Sequence, residues 1–264
     1  AFLIPFNVIS TRKDYLCSME EERLDKLLVQ LNLVNTRVRA EKIIKEDGVK
    51  VNGVLITKTG KRFPIDSKIE LMSEETPWVS RGALKLFGAL EKWPIEIDGK
   101  TFMDIGASIG GFTEVLLKNG ASKVFCVDVN RDQLHVSIKG NQKVINLDKT
   151  HVRELNSKLI TEQVDGCVVD ISLLSLDKVF PFIHAFIRPN GTVFVLINPR
   201  FEADKEHVGK NGIVKDKKLF PEILEKIKRL GKGNNLEYID QIASPILGED
   251  GNQEFIMYFS KVGQ

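Results

Sequence analysis

The feature that most restricts the fold is the segment Asp104-Ile105-Gly106-Ala107-Ser108-Ile109-Gly110-Gly111-Phe112-Thr113-Glu114. A short apolar run at 101–103 enters its three glycines, and a helix-like pattern at 112–117 leaves them. A second apolar run, Val124-Phe125-Cys126-Val127, then ends in Asp128. Strand, glycine turn, helix and strand in that order form the opening βαβ unit of a parallel sheet. Glycines at such a turn let backbone approach a ligand, and an acid closing the second strand can accept both hydroxyls of a ribose. The segment therefore predicts a nucleoside-type cofactor site; the alternative is a tight turn that binds nothing.

The glycines are spaced GxxxGG. Dinucleotide sites use GxGxxG to bring a helix N-terminus onto a pyrophosphate. The spacing here suits the amino-acid end of a compact nucleoside that has no phosphate. Asp104, Gly106, Ala107, Ser108, Gly110 and Gly111, with Asp128, are thus expected to hold S-adenosylmethionine. Asp148, after the apolar segment 144–147, either faces the adenine or is a solvated loop acid. Asp170 closes Val168-Val169-Asp170-Ile171-Ser172 at the carboxyl edge of the expected fourth strand. Open α/β sheets bind ligands at that edge, so Asp170 is read as part of both the cofactor site and the reacting centre.

From residue 101 strands alternate with helices, with strands expected at 101–105, 123–127, 144–146, 164–170, 191–197, 238–243 and 254–260. Seven strands ending in a hairpin describe the Rossmann-like methyltransferase variant of the doubly wound α/β fold. A length of 264 residues allows this large domain plus a small one. The expected division is an N-terminal extension (1–21), a small α+β RNA-binding domain (22–72), a polar linker (73–79) and the main domain (80–264). No apolar run reaches the roughly 18 residues of a membrane helix. Cys17, Cys126 and Cys167 are widely spaced, with no CxxC pair or His/Cys cluster, so no metal site is expected. Residues 1–18 do not read as a secretory signal. The expected location is the bacterial cytoplasm, or an organelle matrix if those residues are the remnant of a presequence.

In the small domain, Leu24, Leu27, Leu28 and Leu31 share one face of an expected helix at 23–31. Thr36 is placed to cap a second helix at 37–46, with Ala40, Ile43 and Ile44 inward and Arg39 and Lys42 outward. Asn52-Gly53 joins strands at 49–51 and 54–56 as a two-residue hairpin, and a strand at 68–71 completes the unit. The overall charge of +2 hides an asymmetry: residues 23–70 carry 11 Lys/Arg against 6 Asp/Glu, which leaves the rest at −3. Lys and Arg near phosphates release condensed counterions, so this unit reads as a phosphate-backbone binder. The alternative is an ordinary solvated basic surface.

Glu22-Arg23-Leu24-Asp25-Lys26-Leu27-Leu28, Thr36-Arg37-Val38-Arg39-Ala40 and Gly48-Val49-Lys50-Val51-Asn52-Gly53 resemble the RNA-binding module named after small-subunit ribosomal protein four. The resemblance implies that the second helix and hairpin lie on structured RNA, with Arg23, Arg37, Arg39, Lys42, Lys50 and Lys58 on phosphates.

The larger part carries Pro77-Trp78-Val79-Ser80-Arg81-Gly82-Ala83-Leu84-Lys85-Leu86, Asn198-Pro199-Arg200-Phe201-Glu202, Gly209-Lys210-Asn211-Gly212-Ile213-Val214-Lys215-Asp216 and Gly251-Asn252-Gln253-Glu254-Phe255. With Ser244-Pro245-Ile246 and Gly248, these strings make the chain from residue 22 onward resemble the TlyA family. The family, long labelled hemolysins, is implied to comprise S-adenosylmethionine-dependent ribosomal RNA 2′-O-methyltransferases related to the FtsJ enzymes. Ribosomal RNA or a ribosomal subunit is the implied partner. A Lys-Asp-Lys-Glu tetrad is implied around the target ribose, and Lys85, Asp170 and Glu254 fall on three of its positions.

The fourth position departs from the pattern. The family's Val-Lys-Pro-Gln-Phe-Glu block stands here as Ile197-Asn198-Pro199-Arg200-Phe201-Glu202. A lysine beside a 2′-hydroxyl orients the oxygen, helps draw off its proton and stabilises alkoxide charge. Asn198 can hydrogen-bond but carries no charge. Arg200, expected on the same face of an extended segment, would restore charge but cannot take a proton. Two functions follow. One is an active ribose methyltransferase using Lys85, Asp170, Asn198 and Glu254; the other is a catalytically impaired RNA-binding ribosome component or assembly factor. A pore-forming role lacks any membrane-length or lytic amphipathic segment.

Overall fold

The computed structural model describes residues 20–263 apart from Asn32, Asn35, Thr36, Asp47, residues 72–77, 210, 211, 215 and 249. The side chains of Arg39, Lys42 and Glu46 also lie outside the described set. The expected Thr36 cap, most of the linker, Cys17 and nearly all of the N-terminal extension fall outside it. Two units divide the chain, Ala1–Thr76 and Pro77–Gln264.

In the first unit the strands and helices run β1 (Glu21–Arg23), α1 (Leu24–Gln30), α2 (Arg37–Glu46), β2 (Val49–Val51), β3 (Val54–Ile56), β4 (Arg62–Pro64) and β5 (Ile69–Leu71). Leu24 and Leu28 on α1 meet Ala40 and Ile44 on α2, and Val49, Val51 and Ile56 close the core. β2 pairs antiparallel with β3 and β5. Asn52 (φ 50°) and Gly53 (φ 80°) form the two-residue turn that suits the twist of such a hairpin. Two expectations need correction. Leu31 lies beyond the end of α1 and is 43% exposed, not part of the buried face. The β1–β4 pair was not foreseen, because three-residue strands show no usable alternation and Pro64 argues against one.

In the second unit, α3 (Ala83–Lys92) precedes β6 (Thr101–Ile105), α4 (Gly111–Lys118), β7 (Lys123–Val127), α5 (Val136–Lys139) and β8 (Val144–Leu147). Then come β9 (Val164–Val169), α6 (Phe180–Ile183), β10 (Ile187–Ile197), α7 (Pro199–Glu202), α8 (Phe220–Gly233), β11 (Leu236–Ala243) and β12 (Phe255–Lys261). Their order in the sheet is β11-β12-β10-β9-β6-β7-β8. β12 runs antiparallel to β10 and β11, and the other pairings are parallel. Each central strand is apolar on both faces: Met103, Ile105, Phe125 and Val127 enter one core, Phe102, Val124 and Cys126 the other. That double burial is what a parallel sheet covered on both sides requires. Cys126 and Cys167 are free and buried, and burial pushes both thiols up. β10 starts four residues earlier than expected, its register with β9 breaking between Ile187 and Thr192. Between β6 and β9 the strand order reverses, which opens a crevice at their carboxyl ends.

Candidate active site

The turn after β6 carries three left-handed residues, Gly106 (φ 87°), Ser108 (φ 47°) and Gly110 (φ 98°). A Cβ on Gly106 would sit 2.1 Å from the Asp170 carbonyl oxygen, and one on Gly111 would sit 2.2 Å from Ser80 Oγ. The expectation that these glycines leave room for a ligand is corrected at Gly106 and Gly111, where the freed space is filled by protein that draws the turn against the end of β9 and the approach to α3. Asp170 N also donates to Ile105 O at 2.9 Å.

Asp128, at the end of β7, turns back over the glycines. Its Oδ2 accepts from Ser108 N and its Oδ1 from Asn130 N, both at 2.8 Å. Each oxygen keeps a further lone pair. Asp148 Oδ2 accepts from Asp132 N at 3.3 Å, tying the loop after β7 to the end of β8.

Asp104 lies fully buried within β6. Its Oδ2 accepts from Thr113 Oγ1 at 2.6 Å, and that hydroxyl is 3.1 Å from Cys126 Sγ. Oδ1 has no hydrogen-bond partner among the described residues. Burial pushes the Asp104 carboxyl up to about 7; Thr113 opposes the shift, and the charges of Asp170 and Asp128 add to it.

Lys85 on α3 places Nζ 2.6 Å from Glu254 Oε2, both side chains nearly buried. Asn198 Nδ2 donates to Glu254 Oε1 at 3.1 Å and to Asp250 Oδ2 at 3.4 Å. Burial raises the Glu254 carboxyl, Lys85 opposes that, and the nearby charges of Asp170 and Asp250 add to it. The structure thus brings Lys85, Asp170, Asn198 and Glu254 to one place at the carboxyl edge of the sheet.

The segment after Asn198 is not extended. Asn198 Oδ1 accepts from Arg200 N at 3.1 Å and caps α7, with Pro199 at its first turn. A capping asparagine followed by proline starts a helix, and that signal outweighs strand alternation. Arg200 is therefore helical and not extended, and its Nη1 reaches Asp250 Oδ2 at 3.5 Å, the same oxygen that Asn198 Nδ2 meets. Asp250 and Asn252 received no role from sequence reasoning. Asn252 is buried and joins two loops, donating to Gly212 O at 2.8 Å and accepting from Val214 N at 2.9 Å. A Gly-Asn step just before a strand was the one available sign.

In the first unit, Arg23 and Arg37 both hold the fully buried Asp25, Arg23 Nε at 2.9 Å and Arg37 Nε at 2.7 Å. Hydrogen bonds from Arg23, then Arg37, outweigh burial and keep the Asp25 carboxyl well below the usual carboxylate range. Part of the charge expected on phosphates is therefore spent inside the fold. Lys50 is half-buried on β2 and Lys58 is exposed. Lys45 and Lys61, which sequence reasoning left out, line an open groove with Lys58, Thr57 and Thr59. The side chains of Arg39 and Lys42 lie outside the described residues.

A seven-stranded sheet with one antiparallel strand, and a glycine turn answered by an acid from the next strand, define the methyltransferase class of doubly wound proteins. The profile of the FtsJ-like methyltransferase family matches residues 78–261, and that of the S4 domain matches 22–66. The chain belongs to the FtsJ-like methyltransferase family and carries an S4 domain at its N-terminal side.

It is 34% identical to the 16S/23S rRNA (cytidine-2′-O)-methyltransferase TlyA of Mycobacterium tuberculosis, across 89% of this chain and 88% of that protein. Hemolysin A of Brachyspira hyodysenteriae is 31% identical, across 90% of this chain and 99% of that one. Among solved structures, a Streptococcus thermophilus protein provisionally named a hemolysin superposes with a TM-score of 0.73 at 30% identity, covering 94% of this chain and 90% of its own. Among the described residues no helix is long and apolar enough to cross a membrane.

Proposed function

We propose that this chain transfers a methyl group from S-adenosylmethionine to a ribose 2′-oxygen of ribosomal RNA, with the S4 domain docking it on folded RNA. The observation that carries this reading is the buried Lys85–Glu254 pair, gathered with Asp170 and Asn198 beside the glycine turn. The named activity of the Mycobacterium tuberculosis relative supports the same reaction and substrate.

The residues at the turn fit the cofactor's chemistry. A buried carboxylate with an unpartnered oxygen suits a cationic ligand, and the spare lone pairs of Asp128 suit a ribose diol. Asp104, Gly106, Ala107, Ser108, Gly110, Gly111, Asp128, Asp148 and Asp170 would hold it. When bound, S-adenosylmethionine supplies a methyl group made electrophilic by its sulfonium. Lys85, fixed by Glu254, orients the ribose 2′-oxygen and stabilises the negative charge that grows as its proton leaves. Asn198 carries no charge and cannot act as base, so we assign proton acceptance to Asp170 at the end of β9.

On the RNA side, Lys45, Lys50, Lys58 and Lys61 meet phosphates, while Arg23 and Arg37 serve chiefly to hold Asp25. A calorimetric titration with S-adenosylmethionine, paired with labelled methyl transfer to isolated small and large ribosomal subunits, tests the reading. Cofactor binding with ribose methylation is expected, and Asn198→Lys is expected to raise the rate by about a hundredfold or more. Absence of cofactor binding, or binding without transfer to either subunit in both forms, would sink it.

A further inference from the structure

Two carboxylates converge on one amide beside the reacting centre. The backbone N–H of Arg200 occupies Asn198 Oδ1, so the amide nitrogen must face Glu254 at 3.1 Å and Asp250 at 3.4 Å. Both amide hydrogens are then committed to carboxylates, and Asn198 has none left for a substrate hydroxyl.

Asp250 is itself firmly seated. Its side chain is only 11% exposed, its Oδ1 accepts from Asn252 N at 3.1 Å, and its Oδ2 lies 3.5 Å from Arg200 Nη1. Burial alone would raise its carboxyl, but hydrogen bonds from Asn252, Asn198 and Arg200 outweigh burial and keep it ionised below the ordinary range. The Arg200 guanidinium packs against Gly212, where a Cβ would come within 2.6 Å of Cζ. Gly248 lies against the same acids, its would-be Cβ 2.7 Å from Glu254 Oε1 and 3.0 Å from Asp250 Oδ1. The result is an ordered line, Arg200 to Asp250 to Asn198 to Glu254 to Lys85.

We propose that Asp250, braced by Arg200, is a positioning residue for methyl transfer: it holds the Asn198 amide against Glu254 and so sets the place of Lys85 Nζ. The inference rests on reading this site as a methyl-transfer centre. A lysine at 198 would put a cation between the two carboxylates, whereas an amide offers only polarised hydrogens. The compensating cation comes instead from Arg200, the second residue of α7, which stays charged and serves as a brace.

The groups around Glu254 are Lys85 from α3, Asp170 after β9, Asn198 after β10 and Asp250 from its own loop. The charge of Asp250 is one of the influences that raise the Glu254 carboxyl, so neutralising it must let Glu254 titrate at lower pH.

The test uses the full-length protein with Asp250→Ala, Asp250→Asn, Asn198→Ala and the Asp250→Ala/Asn198→Ala double variant. Two readouts are taken: kcat and KM for ribosomal RNA, and the titration of the Glu254 carboxyl by carbon-13 NMR. Asp250→Ala should lower kcat by about tenfold to a hundredfold with KM little changed, the effect of losing one charge-assisted hydrogen bond. Asp250→Asn has one oxygen, which can accept from the Asn198 amide or from Asn252 N but not from both, and should recover only part of that loss. The double variant should be no slower than Asn198→Ala, because Asp250 acts through that amide. Asp250→Asn, which removes the charge while keeping a polar side chain beside the amide, should shift the Glu254 midpoint downward. Additive losses in the double variant, an unchanged kcat, or an unmoved midpoint would each overturn the proposal. Should Asp250→Ala unfold, Asp250→Asn alone carries the titration. A wild type that binds cofactor but never transfers methyl defeats the methyl-transfer reading, while the Glu254 midpoint still tests the geometry.

Discussion

Asp104→Asn separates what the buried acid does for the fold from what it does for the cofactor. In the folded chain burial pushes this carboxyl up to about 7, against an ordinary 3.8 when unfolded. The folded state therefore holds its proton over a pH range in which the unfolded chain has released it. Stability from this group is intact below the unfolded value and is lost as pH climbs through the folded one. A gap of about three pKa units corresponds to about 4 kcal/mol once both states are ionised. Asparagine matches the shape, keeps an acceptor for Thr113 Oγ1 and carries no charge.

The apo variant should therefore be more stable than wild type at pH 8, by about 2–4 kcal/mol after local relaxation, and nearly equal to it at pH 4. The same change should weaken S-adenosylmethionine binding at pH 8 by about tenfold to a hundredfold, since the buried anion has lost the charge that answers a cation. Urea denaturation across that pH range, with a cofactor titration at the upper end, measures both. Parallel stability curves for the two proteins, or a variant less stable at pH 8, would refute the argument.

Two further expectations are open to direct measurement. Lys85→Ala leaves Glu254 buried without its cation and should cost about 3–5 kcal/mol at pH 8 as well as abolishing methyl transfer. Without Lys85 the Glu254 carboxyl rises further, so that cost should shrink as pH falls towards 5; a pH-independent loss in thermal unfolding would contradict it. Lys58→Ala with Lys61→Ala should weaken RNA binding uniformly across sequences and reduce the salt slope by about one for each phosphate left without its lysine. An unchanged slope would place the RNA on another face.

Much of the architecture could be read from residue order alone, because it depends on short-range periodicity. Two-faced apolar strands separated by helical segments can pack only as a covered parallel sheet, and the strands at 101–105 and 123–127 appear where they were expected. Asp128 could likewise be placed from chain order, since a residue closing the strand next to the glycine turn has little choice of position. The leucines of α1 and the Asn52-Gly53 turn were similarly local signals.

Other features depend on pairings between residues far apart in sequence, and there the local signals misled or were silent. Arg200 was expected to share a face with Asn198 in an extended segment; a capped, proline-started turn of helix carries it instead, and it pairs with Asp250, 50 residues away. Asp25 looked like one acid in a basic run, yet it is buried between Arg23 and an arginine 12 positions downstream. Asp104 fits the glycine-turn pattern, but only the packed sheet leaves one of its oxygens buried without a hydrogen-bond partner among the described residues. Chain order determined the fold class and the place of the glycine turn, since each follows from strand periodicity or a local motif; Lys85, Asp170 and Glu254 were singled out together only through the family resemblance. Tertiary packing decided which charges stay available for ligands and which are spent on one another, since burial and pairing set the state of an ionisable group and neither is written in its neighbours along the chain.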